Sequence, residues 1–136
     1  MKLITRNTDY AIQALCCIAG NKKEIISADY IVKALDMPRP FLRKILQKLN
    51  KEGILCSYKG KGGGFALAIP PKKIIITDLM KIFQGPLKLN ECTFKKNICP
   101  NIKECILKKK IDDIEKEVIF SLKKITIASL LKDNND

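Results

Sequence analysis

Two helix patterns joined by a proline-bearing turn constrain the fold of this 136-residue chain more than any other feature. Ser27 is suited to cap a short helix from Ala28 to Leu35, and Asp36-Met37-Pro38 follows as a turn. A second helix is predicted from about Pro40 to Lys51, because proline is well placed in a first turn. Its outer face carries Arg43, Lys44, Gln47 and Lys48. This pattern is typical of a helix-turn-helix whose second helix enters the major groove; an ordinary amphipathic surface helix is the alternative.

A glycine-rich hairpin is predicted directly after these helices. Two short strand patterns within Ile54 to Pro70 flank a tip that reads Lys59-Gly60-Lys61-Gly62-Gly63-Gly64. Glycine lets the backbone approach phosphate closely, and the two lysines supply positive charge. A nucleotide-binding loop is the competing interpretation, but the glycines lead into a strand and match neither the dinucleotide nor the P-loop pattern. The hairpin is therefore interpreted as a wing beside the helix-turn-helix.

Two further helices are predicted on either side of this region. Thr8 is suited to cap a helix that ends at Gly20, and Thr77-Asp78 is suited to cap a helix that ends before Gly85-Pro86. The first of these helices contains Cys16 and Cys17, which we expect to be small, partly buried hydrophobic residues rather than functional thiols.

Positive charge is concentrated in residues 1–86. They carry fifteen Lys and Arg against six Asp and Glu, a net +9, whereas residues 87–136 carry eleven against eight, a net +3. This asymmetry favours a protein that neutralises nucleic-acid phosphates, although a lysine-rich proteome, RNA binding or an anionic membrane surface would also produce it. The chain has neither an uninterrupted apolar run of about 18 residues nor a secretory signal. We therefore expect a cytoplasmic protein with no membrane partner.

Histidine is absent from the sequence. This absence excludes a Cys/His zinc finger and any triad that uses a histidine base. The acidic residues are scattered over predicted helix surfaces, so no acid-base or nucleophilic constellation is visible. We expect that the protein is not an enzyme.

Three cysteines, Cys92, Cys99 and Cys105, lie in one short segment between the predicted wing domain and a long helix. Cysteines grouped in a cytosolic chain are more often metal ligands or reactive thiols than disulfides. Thiolates favour iron-sulfur clusters or zinc. From the residues alone, a cluster, a zinc site completed by a carboxylate, a thiol switch and a non-functional group remain open.

The C-terminal part is predicted to be one long helix from Ile102, with an apolar seam on one face. The seam consists of Ile111, Ile114, Val118, Leu122 and Ile125, spaced three, four, four and three residues apart. Such a seam requires a partner surface. It predicts a dimer interface, with folding back onto the same chain as the alternative. Thr126 is suited to cap a last short helix from Ile127 to Leu131.

Four motifs in this order resemble one known family. They are Thr8-Asp9-Tyr10-Ala11, the glycine-rich tip with Phe65, the three cysteines, and the segment from Ile125 to Leu131. Together they resemble the IscR/NsrR/CymR family of bacterial winged-helix regulators, over nearly the whole chain. The resemblance implies a homodimer that binds double-stranded promoter DNA. We expect the DNA contacts to come from Arg39, Pro40, Arg43, Lys44, Gln47, Lys48, Lys59, Lys61, Gly62, Gly63 and Gly64.

The resemblance also implies an iron-sulfur cluster held by the three cysteines, 4Fe-4S in preference to 2Fe-2S, with zinc as the alternative. Two features depart from the branch of the family that controls cluster assembly. The first cysteine gap has six residues instead of five, and Lys108 stands where that branch has a histidine ligand. The branch that senses nitric oxide instead uses an aspartate at the start of the first helix, donated by the other subunit, and Asp9 occupies that position. Asp9 is therefore the expected fourth ligand.

The predicted fold class is mainly α with a small β-hairpin wing. Residues 1–86 are expected to form a winged helix-turn-helix domain, residues 87–105 a cluster-binding segment, and residues 106–136 a dimerisation helix and tail. The expected function is a transcriptional repressor whose cluster senses nitric oxide, oxygen or redox state, or iron-sulfur status. The alternatives are a cluster-free regulator controlled by a partner protein or thiol oxidation, and a small electron-transfer protein.

Overall fold

The computed structural model describes residues 3–89 and 106–134, and within them the chain is mainly helical. Its helices are α1 (Arg6–Ala19), α2 (Ala28–Leu35), α3 (Arg39–Lys51), α4 (Ile76–Gln84), α5 (Ile106–Leu122) and α6 (Ile127–Asn134). The antiparallel strands β1 (Leu55–Tyr58) and β2 (Gly64–Leu67) form the hairpin, and a 3-10 turn at Pro71–Lys73 precedes α4. The predicted fold class is confirmed. None of the helices in these ranges combines the length and apolar character that a membrane span requires.

The helix-turn-helix has the bounds expected from its turn residues. The Ser27 hydroxyl accepts a hydrogen bond from the Tyr30 backbone N–H at 3.1 Å, which caps α2. Asp36 ends α2 in the left-handed conformation, and Pro40 lies in the first turn of α3. The core beneath α1, α2 and α3 is built from fully or almost fully buried residues: Ala11, Leu15, Ile31, Leu42, Leu46 and Leu49. This core fixes the position of α3.

The wing is attached to the loop before α2. Leu55 pairs with Leu67 and Tyr58 with Gly64 across the hairpin. The Ile26 N–H donates to the Phe65 carbonyl at 2.9 Å, and the Phe65 N–H donates to the Ile26 carbonyl at 2.8 Å. These two bonds make Ile26 a third backbone element at the hairpin, so the wing has a defined position beside the helix-turn-helix.

Two predicted caps are wrong. The N-cap of α1 is Thr5 instead of Thr8, because Thr8 is completely buried in the first turn of the helix. Helix α4 begins at Ile76, without a side-chain cap, so Thr77 and Asp78 lie in its first turn. The Ile76 N–H instead donates to the Ile125 carbonyl at 3.0 Å. In both places a distant part of the chain determines where the helix starts.

The end of α5 is tied to the main domain through the segment before α6. The Ile127 N–H donates to the Ile74 carbonyl at 3.0 Å, so the two segments that precede α4 and α6 form a short antiparallel bridge. The predicted cap at Thr126 is confirmed, because its hydroxyl accepts from the Ser129 N–H at 3.1 Å. Helix α6 then packs against α1. The end of α5 and helix α6 therefore belong to the same core as the wing domain.

Candidate functional site

The outer face of α3 presents a row of polar and basic side chains. All six α3 residues predicted to contact DNA are exposed: Arg39, Pro40, Arg43, Lys44, Gln47 and Lys48. The opposite face is buried through Leu42, Ile45, Leu46 and Leu49. The division into an inner and an outer face is therefore as predicted, and the outer face has the shape and charge that a major groove accepts.

Two of these side chains already have partners within the chain. The Arg39 guanidinium forms an ion pair with the carboxylate of Asp29 on α2. The Lys48 ammonium lies 5.6 Å from the ring centroid of Phe83 on α4, within the range of a cation–π contact. Among the described residues, Arg43, Lys44 and Gln47 make no side-chain hydrogen bond or ion pair. The middle of α3 is thus the part most available to bases.

The wing tip has a shape that only glycine permits at two positions. A Cβ atom on Gly63 would collide with the Tyr58 carbonyl, and a Cβ atom on Gly64 would collide with the backbone of Ile26. Gly64 also has a φ of 155°, which side chains rarely adopt. Lys59 and Lys61 are exposed beside these glycines. The tip therefore combines positive charge with a protein backbone that a phosphate group can approach closely.

Asp9 lies at the edge of an apolar groove of about 580 Å³. Its carboxylate is exposed, and its Oδ2 atom accepts a hydrogen bond from the Gln13 side-chain amide at 2.9 Å. The groove lining also contains Leu122 and Ile125 from the predicted seam. Asp9, the candidate ligand, therefore lies in the same groove as Leu122 and Ile125, which belong to the predicted dimer interface.

Gln84, the last residue of α4, joins the start of α1 to the rest of the domain. Its Oε1 atom accepts from the Thr8 hydroxyl at 2.7 Å and from the Thr5 N–H at 3.0 Å. Its Nε2 atom donates to the Leu3 carbonyl at 2.9 Å. Sequence analysis missed this residue, because a glutamine before Gly85 carries no local signal of such a role. The three bonds fix the turn of α1 that carries Asp9.

An aromatic contact joins the start of α1 to α3, the second helix of the helix-turn-helix. The Tyr10 ring meets the Phe41 ring edge-on, with 5.2 Å between centroids and 89° between planes. Such pairs are worth about 0.5–1.5 kcal/mol beyond the area they bury. Asp9 is therefore next in sequence to a residue that contacts α3.

One end of the apolar seam packs against its own chain, and the other end is partly exposed to solvent. Leu122 is 9% exposed, and Val118 and Ile125 pack against the core of their own chain. The alternative of folding back therefore applies to this end of the seam, because the bridge between Ile74 and Ile127 draws it onto the domain. Ile111 is half-buried, whereas Ile114 is 51% exposed. Further exposed apolar residues on α5, which the seam did not include, are Ile106, Leu107 and Phe120.

Five of the six cysteines fall into two groups, and the sixth, Cys56, is half-buried in β1. Cys92, Cys99 and Cys105 lie outside the described residues, and within residues 3–89 and 106–134 no three potential metal ligands come together. In α1, burial raises the pKa of the Cys16 thiol, with a smaller contribution from Cys17, and burial also raises the pKa of Cys17. These two thiols are protonated near neutral pH, which makes them poor ligands and nucleophiles. Their interpretation as partly buried hydrophobic residues agrees with their half-buried positions.

A model of the Rrf2 family, described as an iron-dependent transcriptional regulator, matches residues 4–133. The chain belongs to the Rrf2 family. An Rrf2 relative from Aquifex aeolicus, named as an HTH-type transcriptional regulator, is 33% identical over 124 residues, which cover 90% of this chain and 86% of the relative. The HTH-type transcriptional regulator NsrR of Bacillus subtilis is 27% identical over 138 residues, covering 100% of this chain and 94% of NsrR. The chain is accordingly a transcriptional regulator of the Rrf2 family.

Solved Rrf2 structures share this fold. IscR of T. potens superposes with a TM-score of 0.77 at 24% identity, covering 98% of this chain and 88% of IscR. CymR of B. subtilis, the global cysteine regulator of that organism, superposes with a TM-score of 0.75 at 21% identity, covering 97% of this chain and 98% of CymR. At these identities the likeness establishes the winged-helix fold and not the signal that the protein responds to.

Proposed function

We propose that this Rrf2 protein is a homodimeric repressor that binds promoter DNA through α3 and the wing and is controlled by an iron-sulfur cluster. In this proposal Cys92, Cys99 and Cys105 supply three ligands, and Asp9 of the partner subunit supplies the fourth. The main observation that supports this proposal is the position of Asp9. The carboxylate is exposed at an apolar groove, while the next residue, Tyr10, contacts the recognition helix.

The surroundings of Asp9 suit a carboxylate ligand. Gln13 donates to Oδ2, which orients the carboxylate and leaves Oδ1 without a hydrogen bond to any described residue. Three thiolates and one carboxylate form a donor set that suits a 4Fe-4S cluster, and an oxygen ligand makes one corner easier to displace. A bound cluster would supply an iron corner that reacts with nitric oxide or oxygen.

The residues of this chain would convert a change at Asp9 into a change at α3. The first turn of α1 is held on one side by Gln84 and on the other by the Tyr10–Phe41 contact. A movement of α1 that follows release of Asp9 therefore shifts Phe41 and with it the recognition helix. In a dimer, such a shift changes the separation of two recognition helices, which must match half-sites about one helical turn apart.

The exposed part of α5 supports the dimer in this proposal. Ile106, Leu107 and Ile114 are large apolar side chains that the described part of the chain leaves mostly in solvent. Leu107, Ile111 and Ile114 are spaced four and three residues apart, so they form one stripe along the helix. Burial of this stripe against a second copy would stabilise the dimer that the proposal requires.

Anaerobic purification with metal analysis tests the proposal. We expect a coloured protein with visible absorbance, and with iron and acid-labile sulfide near four per chain if the cluster is 4Fe-4S. DNA affinity should differ between the cluster-loaded, cluster-free and nitrosylated forms. A colourless, iron-free protein after anaerobic reconstitution would contradict the cluster, and bound zinc would indicate the zinc alternative. A protein that takes up no cluster on anaerobic reconstitution and still binds its operator would instead be a cluster-free regulator.

The substitution Asp9→Ala tests this one proposed ligand and leaves the three cysteines unchanged. We expect the variant to dimerise normally but to lose its cluster faster than the parent protein when exposed to air or chelator. Asp78→Ala is the matched control, because it also removes an exposed carboxylate from the first turn of a helix but lies outside the groove lining. Equal cluster stability in the two variants would reject Asp9 as a ligand.

A further inference from the structure

A second cleft, of about 400 Å³, lies between the wing tip and the segment that leads into α2. Its lining includes Asn21, Lys23, Ser27, Tyr30, Gly62 and Gly63. We propose that this cleft holds a phosphate group of the DNA backbone, with Lys23 and Tyr30 as its main contacts. The inference rests on the proposed DNA-reading function and adds a contact outside α3 and the wing lysines.

The cleft is rich in hydrogen-bond donors. Lys23 brings an ammonium group, and Tyr30, which is 51% exposed, brings a phenol O–H. The Ser27 oxygen accepts the capping bond from the Tyr30 N–H, which leaves the serine O–H free to donate. None of the lining residues, all within the described part of the chain, is a carboxylate. A concave surface of donors around one positive charge selects an oxyanion.

The walls of the cleft are held in place before any ligand arrives. The paired hydrogen bonds between Ile26 and Phe65 fix the α2 side to the wing. On the wing side, the Gly63 N–H donates to the Gly60 carbonyl at 3.0 Å, and the space a Cβ on Gly63 would need is filled by backbone. A ligand that enters therefore orders little additional structure, which lowers the entropic cost of binding.

The location of the cleft favours DNA over a free anion. On one side, Gly62 and Gly63 belong to the tip that carries Lys61. On the other side, Tyr30 follows Asp29, whose carboxylate pairs with Arg39 at the start of α3. The cleft therefore lies between the wing tip and the start of α2, where the first helix of a helix-turn-helix crosses the DNA backbone. The ion pair with Arg39 also offsets the negative charge of Asp29, the residue before Tyr30.

Fluorescence anisotropy of the full-length dimer tests this contact, with a labelled operator obtained by in vitro selection and an unrelated duplex of equal length. Salt is varied from about 50 to 200 mM. Lys23→Ala should weaken binding to both duplexes about tenfold at low salt, and it should reduce the slope of log K against log salt by about one, because one phosphate is no longer neutralised. Tyr30→Phe should weaken binding to both about threefold with an unchanged slope, because no charge is removed.

Lys116→Ala is the matched control, because it removes one exposed lysine charge from α5, outside the cleft lining. If the parent protein binds neither duplex in a salt-dependent manner, the proposed function itself fails. If the parent binds but Lys23→Ala and Tyr30→Phe bind as Lys116→Ala does, the phosphate site is overturned. A loss confined to the operator would also overturn it, because a backbone contact acts on all sequences. Tyr30→Phe keeps the test decisive if Lys23→Ala does not fold.

Discussion

Replacement of Gln84 by leucine should destabilise the protein by about 2 kcal/mol. Leucine has a similar size but removes all three hydrogen bonds that join the end of α4 to the segment around Thr5. Each such bond contributes about 0.5–1.5 kcal/mol net, so three of them sum to roughly 1.5–4.5 kcal/mol. The lower end applies because Gln84 is only half-buried, so water replaces part of the hydrogen bonding. The buried Thr8 hydroxyl also keeps the Thr5 hydroxyl as a neighbour at 3.1 Å.

A double-mutant cycle with Thr8→Val isolates the bond between Gln84 and Thr8. Thr8 is 0% exposed, and its hydroxyl lies 2.7 Å from Gln84 Oε1, so valine alone should cost about 1 kcal/mol. Once Gln84 is leucine, the same change at Thr8 removes only the longer contact with the Thr5 hydroxyl, at 3.1 Å, and should cost little. We therefore expect the double variant to be destabilised by about 2 kcal/mol rather than 3, a coupling of about 1 kcal/mol.

Urea unfolding followed by circular dichroism measures this cycle, with the slope of the transition checked for constancy across the variants. Gln47→Leu is the control, because it replaces an exposed glutamine on α3 and should change stability by less than about 0.5 kcal/mol. Destabilisations at Gln84 and Thr8 that add to within about 0.3 kcal/mol would refute the argument, because two independent sites behave in that way.

Three further predictions concern the wing, the thiols of α1 and the recognition helix. Gly64→Ala should cost about 1–3 kcal/mol and weaken DNA binding, because φ is 155° and the Ile26 backbone fills the space; unchanged urea unfolding would contradict it. Because burial raises the folded pKa of Cys16 and Cys17, stability should be full below the unfolded thiol pKa of about 8.5 and fall as the pH rises towards the folded pKa. Urea midpoints between about pH 8 and 10 measure this fall, and the Cys16→Ala/Cys17→Ala variant should show a smaller one; an equal fall would rule these thiols out as its source. Arg43→Ala should weaken operator binding by about 1–3 kcal/mol and relax sequence preference in anisotropy titrations, whereas an equal effect on unrelated DNA would assign Arg43 to the backbone.

The helix-turn-helix and the wing were predictable because residues with restricted backbone conformations mark their boundaries. Pro38 and Pro40 locate the start of α3 to within one residue, and the glycines from 62 to 64 locate the wing tip. Proline and glycine act through their own backbone, so the signal is local and survives without knowledge of the tertiary structure. The inner face of α3 was equally clear, because its apolar residues follow the helical period.

The caps of α1 and α4 were not predictable in the same way. Thr5 and Thr8 are the same residue type three positions apart, and either is chemically able to cap a helix. The choice depends on Gln84, 76 residues further along, which binds the Thr8 hydroxyl in the interior. At α4, the Ile125 carbonyl binds the first N–H of the helix and makes a side-chain cap unnecessary. Tertiary contacts therefore determine where α1 and α4 begin.

The seam on the C-terminal helices illustrates a limit of periodicity. A pattern of three and four residues identifies which face of a helix is apolar, but does not say which surface covers it. The backbone bridge between Ile75 and Thr126 holds Leu122 in the core of its own chain, while Ile114 stays exposed. The two alternatives considered from the sequence, a dimer interface and folding back, therefore apply to different ends of the seam.

The position of the buried end of the seam suggests how a change at Asp9 would reach α3 in the proposed mechanism. Leu122 is held by its own core and also lines the groove that contains Asp9, so the end of α5 forms a wall of that groove. The opposite wall is the first turn of α1, whose Tyr10 contacts Phe41 on α3. A partner or ligand that fills the groove acts on both walls at once. The wall formed by α5 is anchored through Ile127, and the α1 turn is anchored chiefly by Gln84. We therefore expect occupancy of the groove to act on α3 through the Tyr10–Phe41 contact, and loss of Gln84 to uncouple occupancy of the groove from DNA affinity.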